Sequence, residues 1–293
     1  MRVNEIGQQL RAYRLESGMR AEEIAARLGV SRAALYRYEK GEVIKLDTVQ
    51  RLAELLKISP LSLLGIGVEY YSRTVGFFER LRQIEEGADQ ILQVGDPLCY
   101  LVTSDAYDSV LTQCLFELAD EAGEEAVSMR SLAEQVLGIL SLRKRAYQAR
   151  RPGIIAILPE HALQRLLQDG IASGLPLNEE LRTRCRQVAA AEVEAIATLL
   201  ETEPMGLQFS LLSGADTTTS CVLLRQRDRA TLAINPFRSD ASASVSTGVA
   251  LVTGAPEAVS THQRACEAIW RDSIKGATAA RRVRALLAEY RIQ

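Results

Sequence analysis

The residues best equipped for chemistry lie together in the run SRAALYRYEK, where Arg32, Ala33, Tyr36 and Arg37 follow a spacing that places them on one face of a helix. Two guanidinium forks then stand side by side, with a phenol beside them and a small residue that leaves room for close approach. Such forks suit planar, paired acceptors: a carboxylate, a phosphate or the major-groove edge of guanine. Ser31 stands where it would cap that helix. Arg20, Lys40 and Lys45 flank it with charges that could meet phosphate. Each has a plainer reading as a solvated surface charge. Tyr36 either stacks on a base or packs against the first helix, and Lys45 either reaches a phosphate or solvates its loop.

Two short helices crossing through a tight turn would position these groups. In GMRAEEIAARLGVSRAALYRYEKGE, Ala25 is small where the helices approach, Gly29 permits the turn, and Val30 and Leu35 point back toward Ile24 and Leu28. Gly18, Gly29-Val30-Ser31, Gly41 and Ser59-Pro60 divide residues 1–65 into five helices, near 4–17, 21–28, 32–40, 47–57 and 60–64.

This segment, from about Ile6 to Leu64, resembles the Cro and phage-repressor type of helix-turn-helix, the xenobiotic-response-element (XRE) family. The resemblance implies a DNA-reading domain in which Arg32, Ala33 and Arg37 face bases, Tyr36 flanks them, Arg14 and Glu39 form an interhelical ion pair, and Lys40 meets phosphate. Arg20 and Ala21 depart from the pattern, which usually has a capping Thr or Asn followed by a phosphate-binding Gln. The implied partners are a double-stranded DNA operator and a second copy of the chain, since a homodimer reads two half-sites.

Charge supports this placement. The 293 residues carry a net charge of −2, yet residues 1–65 hold 11 Lys and Arg against 8 Asp and Glu, a local balance of +3. The opening MRVNEIGQQLRAYR is too polar for a signal peptide and no long apolar run occurs, so a cytoplasmic protein without membrane contact is expected. Cys99, Cys114, Cys185, Cys221 and Cys266 are scattered, with only His161 and His262 to join them, so core thiols are expected rather than a metal site or disulfides.

From Val68 to about Val94, Tyr70, Thr74, Phe77, Leu81, Ile84, Ala88 and Ile91 recur at spacings of four and three, which predicts one long connecting helix. It would pack on its own domain or pair with a second subunit. Beyond Gly95-Asp96-Pro97, strands are predicted at Cys99–Thr103, Gly153–Leu158, Leu207–Leu212, Ser220–Arg225, Thr231–Ile234 and Gly248–Thr253. Helices fill about 105–121, 128–150, 160–169, 178–202, 256–274 and 277–290, and RQRDR forms a hairpin turn.

The predicted protein is therefore multidomain: an all-α five-helix domain over 1–65, a connecting helix over 66–96 that either packs on its own domain or dimerises, and a mixed α/β domain over 97–293. The last domain resembles, in architecture only, the effector-sensing halves of long regulators with this helix-turn-helix. It shows no phosphate loop, dinucleotide fingerprint, nucleophile elbow or HExxH helix, so a binding module without a cofactor is expected rather than an enzyme. His161, opening a helix after the strand GIIAILP, and Arg238, after Asn235-Pro236-Phe237, are candidate contacts for a small-molecule effector. The Ser-rich run Ser239–Gly248 reads as a loop. The alternative is a DNA-bound scaffold or antitoxin-like protein whose second domain holds a protein partner.

Overall fold

The computed structural model describes residues 3–214, 220–237 and 248–290. Five helices open the chain: α1 (Val3–Ser17), α2 (Ala21–Leu28), α3 (Arg32–Glu39), α4 (Leu46–Leu56) and α5 (Pro60–Leu63). Their apolar faces close on Leu10, Ile24, Leu28, Leu35, Val49, Leu52 and Leu63, all buried. Next come β1 (Val68–Tyr71), α6 (Thr74–Glu85), β2 (Gln90–Val94), α7 (Asp105–Asp120), α8 (Ala126–Arg150), β3 (Gly153–Pro159), α9 (Glu160–Asp169), α10 (Glu179–Thr202) and β4 (Leu207–Leu212). The order ends with β5 (Cys221–Arg225), β6 (Ala230–Ile234), β7 (Ala250–Thr253), α11 (Pro256–Asp272) and α12 (Gly276–Glu289).

The strands form one mixed sheet in the order β1-β7-β6-β5-β2-β3-β4. β2, β3 and β4 run parallel, whereas β2 pairs β5, and β5, β6, β7 and β1 pair onward, antiparallel. One sheet face, with Ile91, Ala156, Phe209, Leu224 and Val252, belongs to the main core. The opposite face, with Val94, Ile157, Leu223 and Leu232, is covered by Cys266, Ile269 and Trp270 of α11. A tight hairpin through residues 226–229 joins β5 to β6, as the RQRDR run predicts.

The long helix expected over Val68–Val94 is a strand, a helix and a strand. Its spacing reflects burial within one chain: Phe77, Leu81, Ile84, Ala88 and Ile91 all enter the core, with Ile91 already on β2. The segment expected as a connecting helix is thus part of the sheet layer, and its apolar seam, apart from the exposed Tyr70, is spent inside the chain. A second departure is Cys99–Thr103, expected as a strand. It is a single 3-10 turn at Tyr100–Val102, bent by Gln93 Nε2 donating to the Leu98 carbonyl at 3.0 Å and closed by Thr103 Oγ1 donating to the Tyr100 carbonyl at 2.9 Å. All five cysteines are buried and reduced, and burial pushes the Cys99 thiol up to about 12.

Helix α6 joins the two halves of the molecule. Its Phe77, Phe78 and Leu81 are almost wholly buried, and its charged residues are shared between neighbours. Arg80 donates to both carboxylate oxygens of Glu69 on β1, at 2.8 and 2.9 Å, and the same carboxylate accepts from Gln9 on α1 at 2.6 Å and from Tyr71 at 2.7 Å. Glu79 pairs with Arg11 of α1 at 2.8 Å, and Gln83 donates to the Gln8 carbonyl at 3.0 Å. Glu16 accepts from the Ser72 and Arg73 amides at 2.6 and 3.1 Å, placing a carboxylate at the amino end of α6 where the helix dipole favours it. Gly76 allows this approach, since a Cβ there would lie 2.6 Å from Glu16 Oε2 and 3.0 Å from its Cα. Tyr13 stacks on Tyr71 across the junction, with ring centroids 5.3 Å apart.

Two predictions follow from this junction. Leu81→Ala lowers the unfolding free energy by about 2–5 kcal/mol, read by denaturant titration, because α6 cannot collapse around the cavity. Burial alone would raise the Glu79 carboxyl, but hydrogen bonds from Arg82 and the charges of Arg11 and Arg82 outweigh it and hold it below the ordinary carboxylate range. Its contribution is therefore complete above the unfolded-state pKa of about 4.3 and is lost as pH falls through the lower folded value. Glu79→Gln should give a shallower loss of stability between about pH 5 and pH 3 than the natural chain, measured by unfolding at a series of pH values.

Candidate nucleic-acid interface

The candidate surface is built from three helix starts. Arg20, Ser31 and Lys45 are the N-cap residues of α2, α3 and α4. Ser31 caps α3 by accepting the Ala34 amide on Oγ at 3.1 Å. Arg20 and Lys45 make no side-chain cap, and a cation at a helix N-terminus opposes the dipole. These two positions forgo the stabilisation that Ser or Asp would give. Gly29 closes α2 in the left-handed region at φ 70°, its amide donating to the carbonyls of Ala25 and Ala26, which reverses the chain into α3.

Helix α3 is anchored from behind. Ala34, Leu35 and Glu39 are buried, and Arg14 of α1 grips Glu39 with Nε at 2.5 Å and Nη2 at 3.1 Å. Burial disfavours the Arg14 charge, but the bonds and charge of Glu39 prevail and raise its pKa above the ordinary value. Gly7 lets α1 pass against the last turn of α3: a Cβ there would lie 2.4 Å from the Tyr38 carbonyl oxygen. The interhelical ion pair implied by the family resemblance is thus present.

The opposite face of α3 carries Arg32, Ala33 and Arg37, all exposed. Arg32 pairs with Glu22 at 2.7 Å and Arg37 with Glu42 at 2.7 Å; both pairs are solvent-screened and hold the forks without committing them. Tyr36 is half-buried between two cations, with the Arg32 guanidinium 5.4 Å and that of Arg14 5.9 Å from its ring centre. It packs toward the domain core and also steadies Arg32. Lys40 terminates α3 and is exposed. The structure therefore brings Arg32, Ala33 and Arg37 together on one face and sets Arg20, Lys40 and Lys45 at helix ends.

The effector candidates separate. His161 sits half-buried in the first turn of α9, beside Glu160, whose carboxylate is bound by Ser213 and Arg282. Arg238, like most of Ser239–Gly248, lies outside the described residues. A recess of about 60 Å³ opens instead beyond the carboxyl end of β2, among Gln93, Asp96, Asn235, Arg143 and the aromatic rings of Phe78 and Tyr100. His161 does not line it. Sequence reading missed this group because Arg143 falls within an ordinary polar helical pattern and Gly95-Asp96-Pro97 reads as a domain boundary. The one usable signal was a strand ending in Gly-Asp, since ligands of open α/β sheets gather at carboxyl strand ends.

Among the described residues no helix is long and apolar enough to cross a membrane. Residues 10–63 match a family model described as helix-turn-helix. Comparison with curated proteins gives no match. A solved structure of TrmBL2, described as an archaeal chromatin protein with a novel mode of DNA binding, is similar at 12% identity and a TM-score of 0.34, covering 78% of this chain. This chain spans about three fifths of that one (61%). The capping geometry gives a direct test: Ser31→Ala should cost about 0.5–2 kcal/mol in unfolding free energy, because the Ala34 amide loses its acceptor.

Proposed function

We propose that this chain, whose residues 10–63 match a helix-turn-helix family model, is a dimeric, sequence-specific transcriptional regulator of the XRE type whose second domain answers to a small molecule. The observation that carries the DNA-reading part is α3 itself: Ser31 caps it, the Arg14–Glu39 pair fixes it from behind, and Arg32, Ala33 and Arg37 are exposed on its outer face. In this reading Arg32 and Arg37 leave their exposed carboxylate partners for base edges in the major groove, while Arg20, Lys40 and Lys45 contact phosphate. One eight-residue helix reads too little sequence for tight binding, so two copies of the chain would address two half-sites.

The sheet domain is read as a binding module, not a catalyst. What supports coupling is the position of α6, which lines the recess with Phe78 and Leu81 and holds α1 through Glu79 and Gln83. A ligand that preferred one placement of α6 would shift the DNA-reading domain, and DNA would alter ligand affinity by the same factor.

The test begins with selection of duplexes from a randomised pool by the full chain. Arg32→Ala/Arg37→Ala should then weaken binding to the selected duplex by about tenfold or more and relax preference at the contacted positions. Arg20→Ala or Lys40→Ala should weaken all sequences alike and reduce the salt dependence. A folded double variant with unchanged affinity and selectivity would overturn the assignment, and a single chain per selected duplex would overturn the dimer.

A further inference from the structure

Arg73 stands where the sheet layer meets the turn between α1 and α2. It is the N-cap residue of α6, its backbone amide donates to Glu16 Oε2 at 3.1 Å, and it is half-buried. The guanidinium runs past Gly18: a Cβ on that glycine would lie 2.1 Å from Arg73 Nη1 and 3.3 Å from Cζ. Gly18 is also in the left-handed region at φ 69°, so the turn and the path of the arginine both favour a residue without a side chain. Just beyond it Arg20, the N-cap of α2, is exposed. Two guanidinium groups, one from each half of the molecule, thus meet at one turn.

Neither fork is spent. The arginines within α1, α2 and α3, namely Arg11, Arg14, Arg27, Arg32 and Arg37, each hold a carboxylate. The side chains of Arg20 and Arg73 hold none and make no hydrogen bond among the described residues. The acids around the turn are engaged elsewhere. Glu16 accepts from the Ser72 amide and hydroxyl and from the Arg73 amide, Glu22 is held by Arg32, and Glu23 by Arg27. Two unspent forks at one turn call for an anion with several acceptor oxygens, and phosphate is the one that a duplex brings to a DNA-reading domain.

The turn opens on the reading side. Arg32 in the first turn of α3 pairs with Glu22 in the first turn of α2 at 2.7 Å, so the two helices start on the same side of the domain and Arg20 stands beside the base-facing surface. We propose that Arg73 is a contact for the DNA backbone: its guanidinium takes a phosphate next to the one met by Arg20, so that the duplex is held by the helix-turn-helix and by the sheet layer at once. The inference rests on the DNA-reading assignment of α3 and extends the contact surface to a residue outside residues 10–63. It also puts a DNA contact at the head of α6, the helix that lines the recess through Phe78 and Leu81. Bound duplex then acts on α6 directly, in addition to acting through α1.

The experiment measures binding of the full chain to the selected duplex, and to a scrambled duplex of the same length, over a range of salt concentrations. Arg73→Ala should weaken both complexes by the same factor, about tenfold at 50 mM salt and about threefold at 200 mM, because one counterion fewer is released and the salt slope falls by about 0.9. Arg73→Lys keeps the charge and should keep the slope. Thermal unfolding without DNA reports whether each variant is folded, and Arg73→Gln, which keeps a polar side chain without the charge, repeats the test should the alanine variant unfold. A folded Arg73→Ala or Arg73→Gln protein with unchanged affinity and slope, beside an Arg32→Ala/Arg37→Ala protein that has lost its preference, overturns the Arg73 contact and leaves the DNA-reading assignment standing. A slope lost in Arg73→Lys as fully as in Arg73→Ala marks a structural role and also overturns it. Failure of the DNA-reading assignment itself looks different: no duplex is selected, Arg32→Ala/Arg37→Ala has no preference to lose, and both claims fall together.

Discussion

The structure depends on one buried charge pair, Glu69 with Arg80. Arg80 offers its fork to a carboxylate that also accepts from Gln9 and Tyr71, so a single acidic group ties α1, β1 and α6 together. Breaking such a pair by removing one partner leaves an uncompensated buried charge, a cost of about 3–5 kcal/mol, so the arrangement holds only as a whole. It also orients: bidentate geometry fixes α6 in angle as well as distance. With Glu79 on Arg11 and Glu16 on the start of α6, the helix-turn-helix domain is docked onto the sheet layer by three sets of directional contacts.

That docking changes what regulation can mean here. A reader on a loose tether would be controlled by where it diffuses; under the proposed function, a reader held through α1 and α6 would be controlled by the placement of α6. On its far side the same helix meets α8 through Glu85 and Arg143, and Phe78 and Leu81 form part of the recess. Packed helices shift between discrete arrangements and do not deform smoothly, which makes α6 suited to relaying a small change. The exposed Arg32–Glu22 and Arg37–Glu42 pairs, by contrast, are local and take no part in the junction.

The first domain was legible because its signals are local. Ser31 and Gly29 mark a cap and a turn within three residues, and the apolar spacing of a short helix is complete within its own length. The pairing of Arg14 with Glu39 came only through resemblance, since nothing in spacing alone links residues 25 apart. Val68–Val94 misled because core-facing residues of a strand, a helix and a second strand happened to fall at three- and four-residue intervals, and Ala88 and Ile91 continued the pattern past the end of α6. Nothing in the local sequence marks Glu69, Glu79 and Glu85 as paired, because Arg80, Arg11 and Arg143 come from other elements. The recess was illegible for the same reason: β2, α8 and β6 each supply one or two unremarkable polar residues, and only the sheet order brings them to one edge.

The central claim, that reader and sheet layer are one mechanical unit joined at α6, is tested most directly by native-state hydrogen exchange across α1 and α6. Amides of the two helices should open in the same cooperative unit, with matching free energies and matching response to denaturant. Opening of α1 at a distinctly lower free energy while α6 stays protected would contradict it, and would make the helix-turn-helix a tethered domain.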